Sequence, residues 1–378
     1  MLALGCRHRE QASKYLPERV ILNSSVKLIA RTDVGPTGWN RCADAFPEAW
    51  IWHRWEAIDA YATWADTRDC SFALMDAAAS EPVALVPLRR VLGRRPVRQL
   101  GAILESTGGP AYAPGLSPRQ RTRVEKALRE GLSTMAAREG AYRVELAMAP
   151  LAPARLSGNG VNPLVMLGCR EASTQSWILR LADRDEDALW RNLEHRVRKT
   201  VNKAERGGVT VRDIAHGDFG DFLRLHRATS ARNELPAKPE AYFGKIFGDF
   251  IPQGLASGFC AVAPDGRVIA IHIFAVYKKA ALYWVVASDK EALHSGANDL
   301  VQWHAIRSFA ANGLLHYECG EAFPGAPDGK HRRISDFKKG FGGDLAPYHR
   351  GTLVPRPRTA AFFDLLRSLR NNGNRSDA

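Results

Sequence analysis

The residues of this chain best suited to chemistry lie between Gly296 and Asp344. Lys338 follows Phe337 and is followed by Lys339 and by Gly340-Phe341-Gly342-Gly343. A fixed cation beside a carbonyl oxygen stabilises the negative charge that this oxygen gains under nucleophilic attack. Lys338 is therefore suited to joining an amine to an activated acyl group. Phe337 would anchor the segment, and the glycines would let the backbone come close to a substrate. A solvated lysine in a basic loop explains the same residues, and spacing alone favours that simpler account. Glu318 closes a short apolar run from Leu314 to Cys319 and has the chemistry to take the amine's proton. A structural ion pair with an arginine explains it equally well. Cys319 beside it is rejected as a nucleophile, because no histidine with a carboxylate partner accompanies it.

A second group of residues is suited to anions. The stretch from Asp185 to Arg206 is expected as one helix, with Arg196, Lys199 and Lys203 at three- and four-residue spacing on one face. It could hold a diphosphate or RNA, or be an exposed face paired with Glu194 and Glu205. Ser295-Gly296-Ala297-Asn298 is expected between a strand and a helix N-terminus, with Asn298 as N-cap. Free amides and the helix dipole make such a turn an anion site, and ordinary capping is the alternative. His272, in an apolar strand, is read as a core histidine. Arg232, Tyr242, Tyr283 and Tyr348 are pocket candidates by position only. No metal site is expected.

These residues need elements to position them. Leu300, Val301, His304, Ala305 and Phe309 give helical spacing over residues 299–311, stopped at Gly313. Before them, 259–263, 268–276 and 281–287 read as a meander turning at Pro264-Asp265-Gly266 and Lys278-Lys279. A strand is expected over 176–181, another over 209–214, and helices over 219–231 and 239–247. The first half follows a similar order. Helical, aromatic-rich segments cover 39–46 and 50–64, whose tryptophans Trp50, Trp52, Trp55 and Trp64 are assigned to the core. Strands are expected over 71–75, 82–90, 97–104 and 142–147, and an amphipathic helix over 118–139. Residues 149–162, rich in Ala, Pro, Gly and Asn, read as the start of a linker. A last helix is expected over 357–370, followed by a polar tail. The stretches 136–146 and 310–319 both end a helix in Ala-Ala, pass a glycine and enter a strand, which points to a duplicated α/β unit.

Composition narrows the class. A length of 378 residues suits two domains, and 45% hydrophobic content gives each a core. No apolar run reaches the length of a membrane span. The start, MLALGCRHRE, becomes charged too early for a signal peptide. Six cysteines without a CxxC pair read as reduced thiols of a cytoplasmic protein. A net charge of +13 favours an anionic partner without choosing among phosphate, nucleotide, RNA and an acidic membrane face.

In order and spacing, Gly296-Ala297-Asn298, Ala310 to Gly313, Glu318-Cys319-Gly320 and Phe337 to Gly343 resemble the C-terminal part of the Fem-type peptidyltransferases and related GNAT-fold acyltransferases. Arg198 to Ala204 running into Gly208-Val209 is similar to a further run of that family. The family's usual residue at Glu318 is Asp. The resemblance implies an α/β fold with mixed sheets in two tandem GNAT-like domains. These are placed at 31–165 and 173–350, after a tail at 1–30, with a C-terminal helix and tail at 351–378 returning to the first domain. It implies direct amide formation from an activated acyl donor, with Lys338 near the reacting centre or the substrate's phosphates. The donor would be acyl-CoA, acyl carrier protein or aminoacyl-tRNA, with no permanently bound cofactor. The acceptor would be a small or lipid-linked anionic molecule of cell-wall or polysaccharide synthesis, met in the cytoplasm or at the inner membrane face. In GNAT enzymes the coenzyme A pyrophosphate lies at the turn corresponding to 295–298. Glu291 to Ala297 lacks the usual Arg/Gln-x-x-Gly pattern there. The rival from another class is a non-catalytic basic protein of this fold that binds RNA or an anionic membrane surface.

Overall fold

A computed structural model describes residues 20–23, 25–93, 98–158, 160–327 and 329–373, with side chains described between 25 and 366. Residues 1–19 of the expected tail, Val97 of an expected strand and the end of the polar tail lie outside the described residues. The chain forms two compact units, one of residues 1–173 and 349–378, the other of residues 174–348.

In chain order the first unit begins with β1 (Val20–Asn23), β2 (Val26–Ala30), α1 (Arg31–Ala45) and α2 (Trp55–Tyr61). It continues with β3 (Thr67–Asp69), β4 (Phe72–Asp76), β5 (Pro82–Val86), β6 (Arg89–Val91), β7 (Ile103–Ser106) and β8 (Ala111–Tyr112). Then come α3 (Pro118–Arg138), β9 (Arg143–Ala147), α4 (Pro153–Leu156) and β10 (Arg170–Glu171). The second unit runs β11 (Thr174–Arg180), α5 (Glu186–Asn192), α6 (His195–Arg206), β12 (Thr210–Asp213), α7 (Phe219–Arg232) and α8 (Glu240–Lys245). It goes on through β13 (Ala256–Val262), β14 (Val268–Tyr277), β15 (Ala280–Ser288), α9 (Lys290–Ser295) and α10 (Ala297–Ala311). It closes with β16 (His316–Ala322), α11 (Lys330–Lys339) and β17 (Asp344–Tyr348), and the chain returns to the first unit with β18 (Arg350–Leu353) and α12 (Pro357–Gly373).

The second unit has one seven-stranded sheet in the order β12-β13-β14-β15-β16-β11-β17. The meander β13-β14-β15 is antiparallel, and the Lys278-Lys279 turn has both φ angles positive, at 47° and 57°, as a tight hairpin requires. β15 and β16 are parallel, so a crossover is needed, and α10 supplies it. α10 buries Leu300, Val301, Ala305, Ile306 and Phe309 in the core under the sheet. Its N-cap is Gly296 rather than Asn298.

The basic helix expected over 185–206 is two helices. Leu193 and Glu194 take extended backbone angles between α5 and α6. The carbonyls freed at the end of α5 are met by Arg198, whose Nη1 donates to Arg191 at 2.9 Å and to Leu193 at 2.6 Å.

The first unit shares half of this plan. β7 and β9 are parallel and joined by α3, as β15 and β16 are joined by α10. α3 starts from a Ser117–Gln120 capping box and buries Val124, Ala127, Leu128 and Leu132, the face expected from its periodicity. β18 lies between β9 and β10, where the second unit has β11 between β16 and β17. The other half differs. Strands β1-β2-β4-β5-β8 form one sheet and β10-β18-β9-β7-β6-β3 another. The division falls at Cys70-Ser71, at Pro87-Leu88 and after Ser106, so one crease crosses three successive strands. Pro87, which has no N–H to give a ladder, stands on that line. Residues 149–162 are not an open linker, because Leu151 and Ala152 are fully buried and α4 occupies the middle. Trp39 and Trp50 are fully buried and Trp52 nearly so, while Trp55 and Trp64 are half-buried. Among the described residues the five cysteines are all buried and free.

Candidate active site

The sheet of the second unit opens between β15 and β16. The two strands pair at three positions, Ala280 with His316, Ala281 with Tyr317 and Leu282 with Glu318. Beyond that, β15 runs on to Ser288 and β16 to Ala322 without pairing to each other. The outer neighbours of both strands slip register at the same level. Trp284 bulges out of the β14–β15 ladder, and Cys319 out of the β11–β16 ladder. An extra residue in each strand bends it, and the two bends open the sheet. Glu318 is the last residue of β16 paired with β15 and stands at the fork.

Side-chain alternation divides the fork into two faces. Tyr317 and Tyr283 pack toward α10, in the core. There the Tyr317 hydroxyl donates to Gln302 Oε1. Tyr283 stacks on Phe274 at 5.7 Å and lies against His272 at 5.3 Å. Glu318, in register with Leu282, turns to the opposite face.

Glu318 is 3% exposed, and Ser176 Oγ donates to its Oε1 at 2.6 Å. Burial pushes its carboxyl up from 4.5 to about 7, against the Ser176 hydrogen bond and the nearby charge of Lys338. The carboxyl is thus balanced between acid and carboxylate near neutral pH. Lys338 is not in a loop. It lies in the last turn of α11, half-buried, and its Nζ donates to the Glu321 carbonyl at 2.6 Å. A Cβ on Gly320 would come within 3.0 Å of that Nζ, so the ammonium rests against the backbone just after Glu318. Burial lowers its pKa, while Cys319, Glu318 and Glu321 oppose the drop. An ammonium has three donors, and the Glu321 bond leaves two for a substrate. Phe337 meets Phe341 edge-on at 5.1 Å and packs on the core, which fixes the end of α11.

The glycines after Lys338 serve the fold rather than a substrate. Gly343 has φ +92°, and a Cβ there would lie 2.5 Å from the Ile178 carbonyl. Only glycine lets the chain leave α11 and enter β17 so close to β11.

Several expected site residues do other work. Arg196 is tied to protein groups, bonding Glu194 at 2.8 Å and the Asp336 carbonyl. Lys203 donates to the His294 carbonyl at 2.8 Å. Lys199 instead lines a groove of about 250 Å³ with Trp190, His195, Arg198, Asn202 and Arg206. The face of α6 that offers cations to a ligand is therefore this row, not the row of Arg196.

The 295–298 turn lies between two helices, because α9 intervenes after β15. Gly296 has φ +83°, and a Cβ there would meet Thr200 Cγ2 at 2.6 Å and its carbonyl oxygen at 2.9 Å. The turn is thus packed on α6 rather than open. Ser295 Oγ is buried without a hydrogen-bond partner, and Asn298 Oδ1 meets His272 Nε2 at 2.9 Å. His272 is fully buried, and its pKa is lowered to about 4 by burial, as suits a neutral core histidine. In the first turn of α10, burial raises Asp299 to about 6 despite the charge of Arg196. Arg232 holds the end of β15 by donating to the Ser288 carbonyl at 2.9 Å. Tyr242 is buried beneath Trp284, at 6.1 Å, and Tyr348 ends β17 opposite Thr174. The fork therefore brings together Glu318 and Lys338, with Phe337 as anchor, and adds Ser176. Nothing in the sequence marked Ser176, since only the β11–β16 pairing brings it to Glu318. Cys319 is buried, with its thiol pushed up to about 12, which keeps it a neutral thiol.

Residues 191–338 match the family model of the acetyltransferase (GNAT) domain, a span that runs from the end of α5 to Lys338. This segment is similar to a GNAT acetyltransferase domain. No curated protein matches the sequence. Among solved structures, the GNAT fold here is similar to FemX, with a TM-score of 0.63 at 14% identity, covering 85% of this chain and 96% of that one. It is similar to the C-terminal domain of a putative lysylphosphatidylglycerol synthetase from Agrobacterium fabrum, with a TM-score of 0.55 at 12% identity over 87% and 95% of the two chains. A tandem GNAT protein from the clavulanic acid biosynthesis pathway gives a TM-score of 0.51 at 12% identity over 87% and 98%. The fold is therefore similar to that of FemX and of a tandem GNAT protein.

Proposed function

We propose that this GNAT protein forms an amide by direct transfer of an acyl or aminoacyl group from an activated ester or thioester to an amine, with the chemistry at the β15–β16 fork. The observation that carries this reading is a buried carboxyl, balanced near neutrality, beside a half-buried ammonium at the one place where the sheet opens. In the step, the amine nitrogen attacks the acyl carbon and its proton passes to Glu318. Ser176 occupies Oε1 and leaves Oε2 to receive that proton. The carbonyl oxygen gains negative charge, and Lys338 stabilises it. The tetrahedral adduct then collapses, the bond to the alcohol or thiol of the donor breaks, and the leaving group departs with the proton from Glu318. A positioned base contributes about 10²–10⁴ in rate. A donor at the developing oxyanion contributes about 10²–10³.

The basic groove of α6 supports an anionic part on the donor or the acceptor. The packed turn at Gly296 offers little room for a pyrophosphate, which favours aminoacyl-tRNA or an acyl carrier protein over free acyl-CoA as donor. A lipid-linked or nucleotide-linked acceptor of cell-envelope synthesis fits the charge. Among the described residues no helix is long and apolar enough to cross a membrane, so a lipid-linked acceptor would be met at the surface.

The test begins with mass spectrometry of small molecules co-purifying with the protein, followed by amide-forming turnover with the donor so identified. Lys338→Ala should lower turnover about a hundredfold or more. Lys339→Ala, on an exposed side chain, should leave it near wild type. Lys338→Arg should restore little, since a planar fork does not replace a compact ammonium. Equal and near-wild-type turnover for Lys338→Ala and Lys339→Ala would remove the fork from the chemistry.

A further inference from the structure

The first unit has a cleft of its own, on the sheet face away from α3. Asp69 of β3, Arg89 of β6 and Glu105 of β7 stand there in one row, Asp69 opposite Arg89 and Arg89 opposite Glu105. Leu104 turns the other way, into the core beneath α3. The row continues to Glu145 of β9, which β7 sets beside Glu105 as β15 sets Leu282 beside Glu318 of β16. It therefore holds in the first unit the place that the fork holds in the second. Trp52, Ile58 and Tyr61 give the cleft apolar walls beside Arg89 and Glu105. Counted out to its mouth the cleft is about 330 Å³, but its enclosed part has about 20 Å³, enough for a group the size of a water molecule.

The charges of the row are not all spent on one another. Arg31 and the Ser71 N–H take up Asp69, at 2.8 and 2.9 Å. Arg143 takes up Glu145 at 2.7 Å. Arg89 lies over the Tyr61 ring, 3.9 Å from its centroid, which fixes the plane of the guanidinium. Its Nη2 gives Glu105 Oε1 one hydrogen bond at 3.0 Å. Among the described residues, Arg89 Nε and Nη1, Glu105 Oε2 and the Thr107 hydroxyl, which also lines the cleft, have no further partner. The Arg89 and Glu105 side chains are 17% and 32% exposed, so both reach the cleft. A plain anion entering it would meet Glu105, and a plain cation would meet Arg89. A ligand with both charges on neighbouring atoms meets neither conflict. Its carboxylate takes the open edge of the guanidinium, and its ammonium takes Glu105 Oε2. The enclosed space admits one end of such a head group, with the rest in the open part, and excludes a sugar ring or a nucleotide base. We propose that this cleft binds a free α-amino acid by its head group, with the side chain toward the mouth. The inference does not depend on the chemistry proposed for the second unit.

The test is equilibrium dialysis of the full-length protein against labelled glycine and the standard L-amino acids in turn. At least one should bind at millimolar concentration or below. For the one that binds best, two analogues follow, the acid lacking its amino group and the amine lacking its carboxyl (propionate and ethylamine in the case of L-alanine). Each should bind about tenfold more weakly or worse, since each gives up one charge-assisted hydrogen bond. Arg89→Gln and Glu105→Gln should each weaken binding about tenfold or more. Glu145→Gln, outside the cleft, should leave it unchanged. Thermal melting without ligand checks that each variant is folded, and the analogue series needs only the wild type. No binding of any amino acid at millimolar concentration would overturn the proposal. So would analogues that bind as tightly as the amino acid, folded Arg89→Gln and Glu105→Gln that bind like wild type, or an equal loss in Glu145→Gln.

Discussion

Replacing Glu318 by Gln should make the protein more stable at alkaline pH and much less active. Burial raises the Glu318 carboxyl from 4.5 to about 7. The folded protein therefore holds a proton, between those two values, that the unfolded chain releases. The stability linked to this group is fully present below the unfolded pKa of 4.5 and is lost as pH rises through about 7. At about 1.4 kcal/mol per decade of proton concentration, the loss levels off near 3 kcal/mol above the folded pKa. Glutamine is neutral at every pH, keeps the shape of the protonated acid and still accepts from Ser176 through its amide oxygen. Its NH₂ group needs a partner in a buried place, which offsets about 1 kcal/mol of the gain. At pH 8 the variant should thus be more stable by roughly 2 kcal/mol, or about 4–8 °C in melting temperature for a unit of this size. At pH 4.5 the difference should vanish or turn slightly negative. Turnover should fall about a hundredfold or more, and the acidic limb of the rate profile near pH 7 should disappear. Melting from pH 4.5 to 8, beside a pH–rate profile, checks both halves. A melting difference that stays flat across that range would show that Glu318 does not titrate there and would refute the reasoning. A gain in stability with full turnover would leave the carboxyl buried and unused.

Two other outcomes follow from neighbouring geometry. Ser176→Ala removes the hydrogen bond that holds Glu318 down, so the acidic limb should move to higher pH, with a smaller loss of maximal rate than Glu318→Gln; an unmoved limb would detach Ser176 from the base. Gly296→Ala forces a side chain into φ +83° and against Thr200, and should destabilise the fold by more than about 2 kcal/mol by chemical denaturation, whereas an unchanged midpoint would contradict the packed turn.

The sequence by itself determined the elements and much of their order. The spacing of Val124, Ala127, Leu128 and Leu132 specifies α3, because helical periodicity is local and the apolar face must be buried somewhere. The turn residues between β13, β14 and β15 specify a meander for the same reason. Phe337-Lys338 and Glu318 stood out as candidates by residue type and order. What each side chain touches was decided by tertiary structure. Glu318 becomes a near-neutral acid only because the sheet buries it and β11, some 140 residues earlier in the chain, lays Ser176 against it. Lys338, placed in a loop by the glycines that follow it, ends a helix, and those glycines serve the close passage of β17 along β11. The break between α5 and α6 was hidden because Arg198 supplies from its side chain the bonds that the backbone gives up there. Arg196 and Lys199 share a charge and a helix, yet one is tied to the Asp336 carbonyl and the other lines an open groove. Charge and periodicity are properties of a stretch of chain, whereas desolvation, register and hydrogen-bond partners belong to residues brought together from far apart. For that reason the class of chemistry could be read along the sequence, and the protonation state that would drive it only across the sheet.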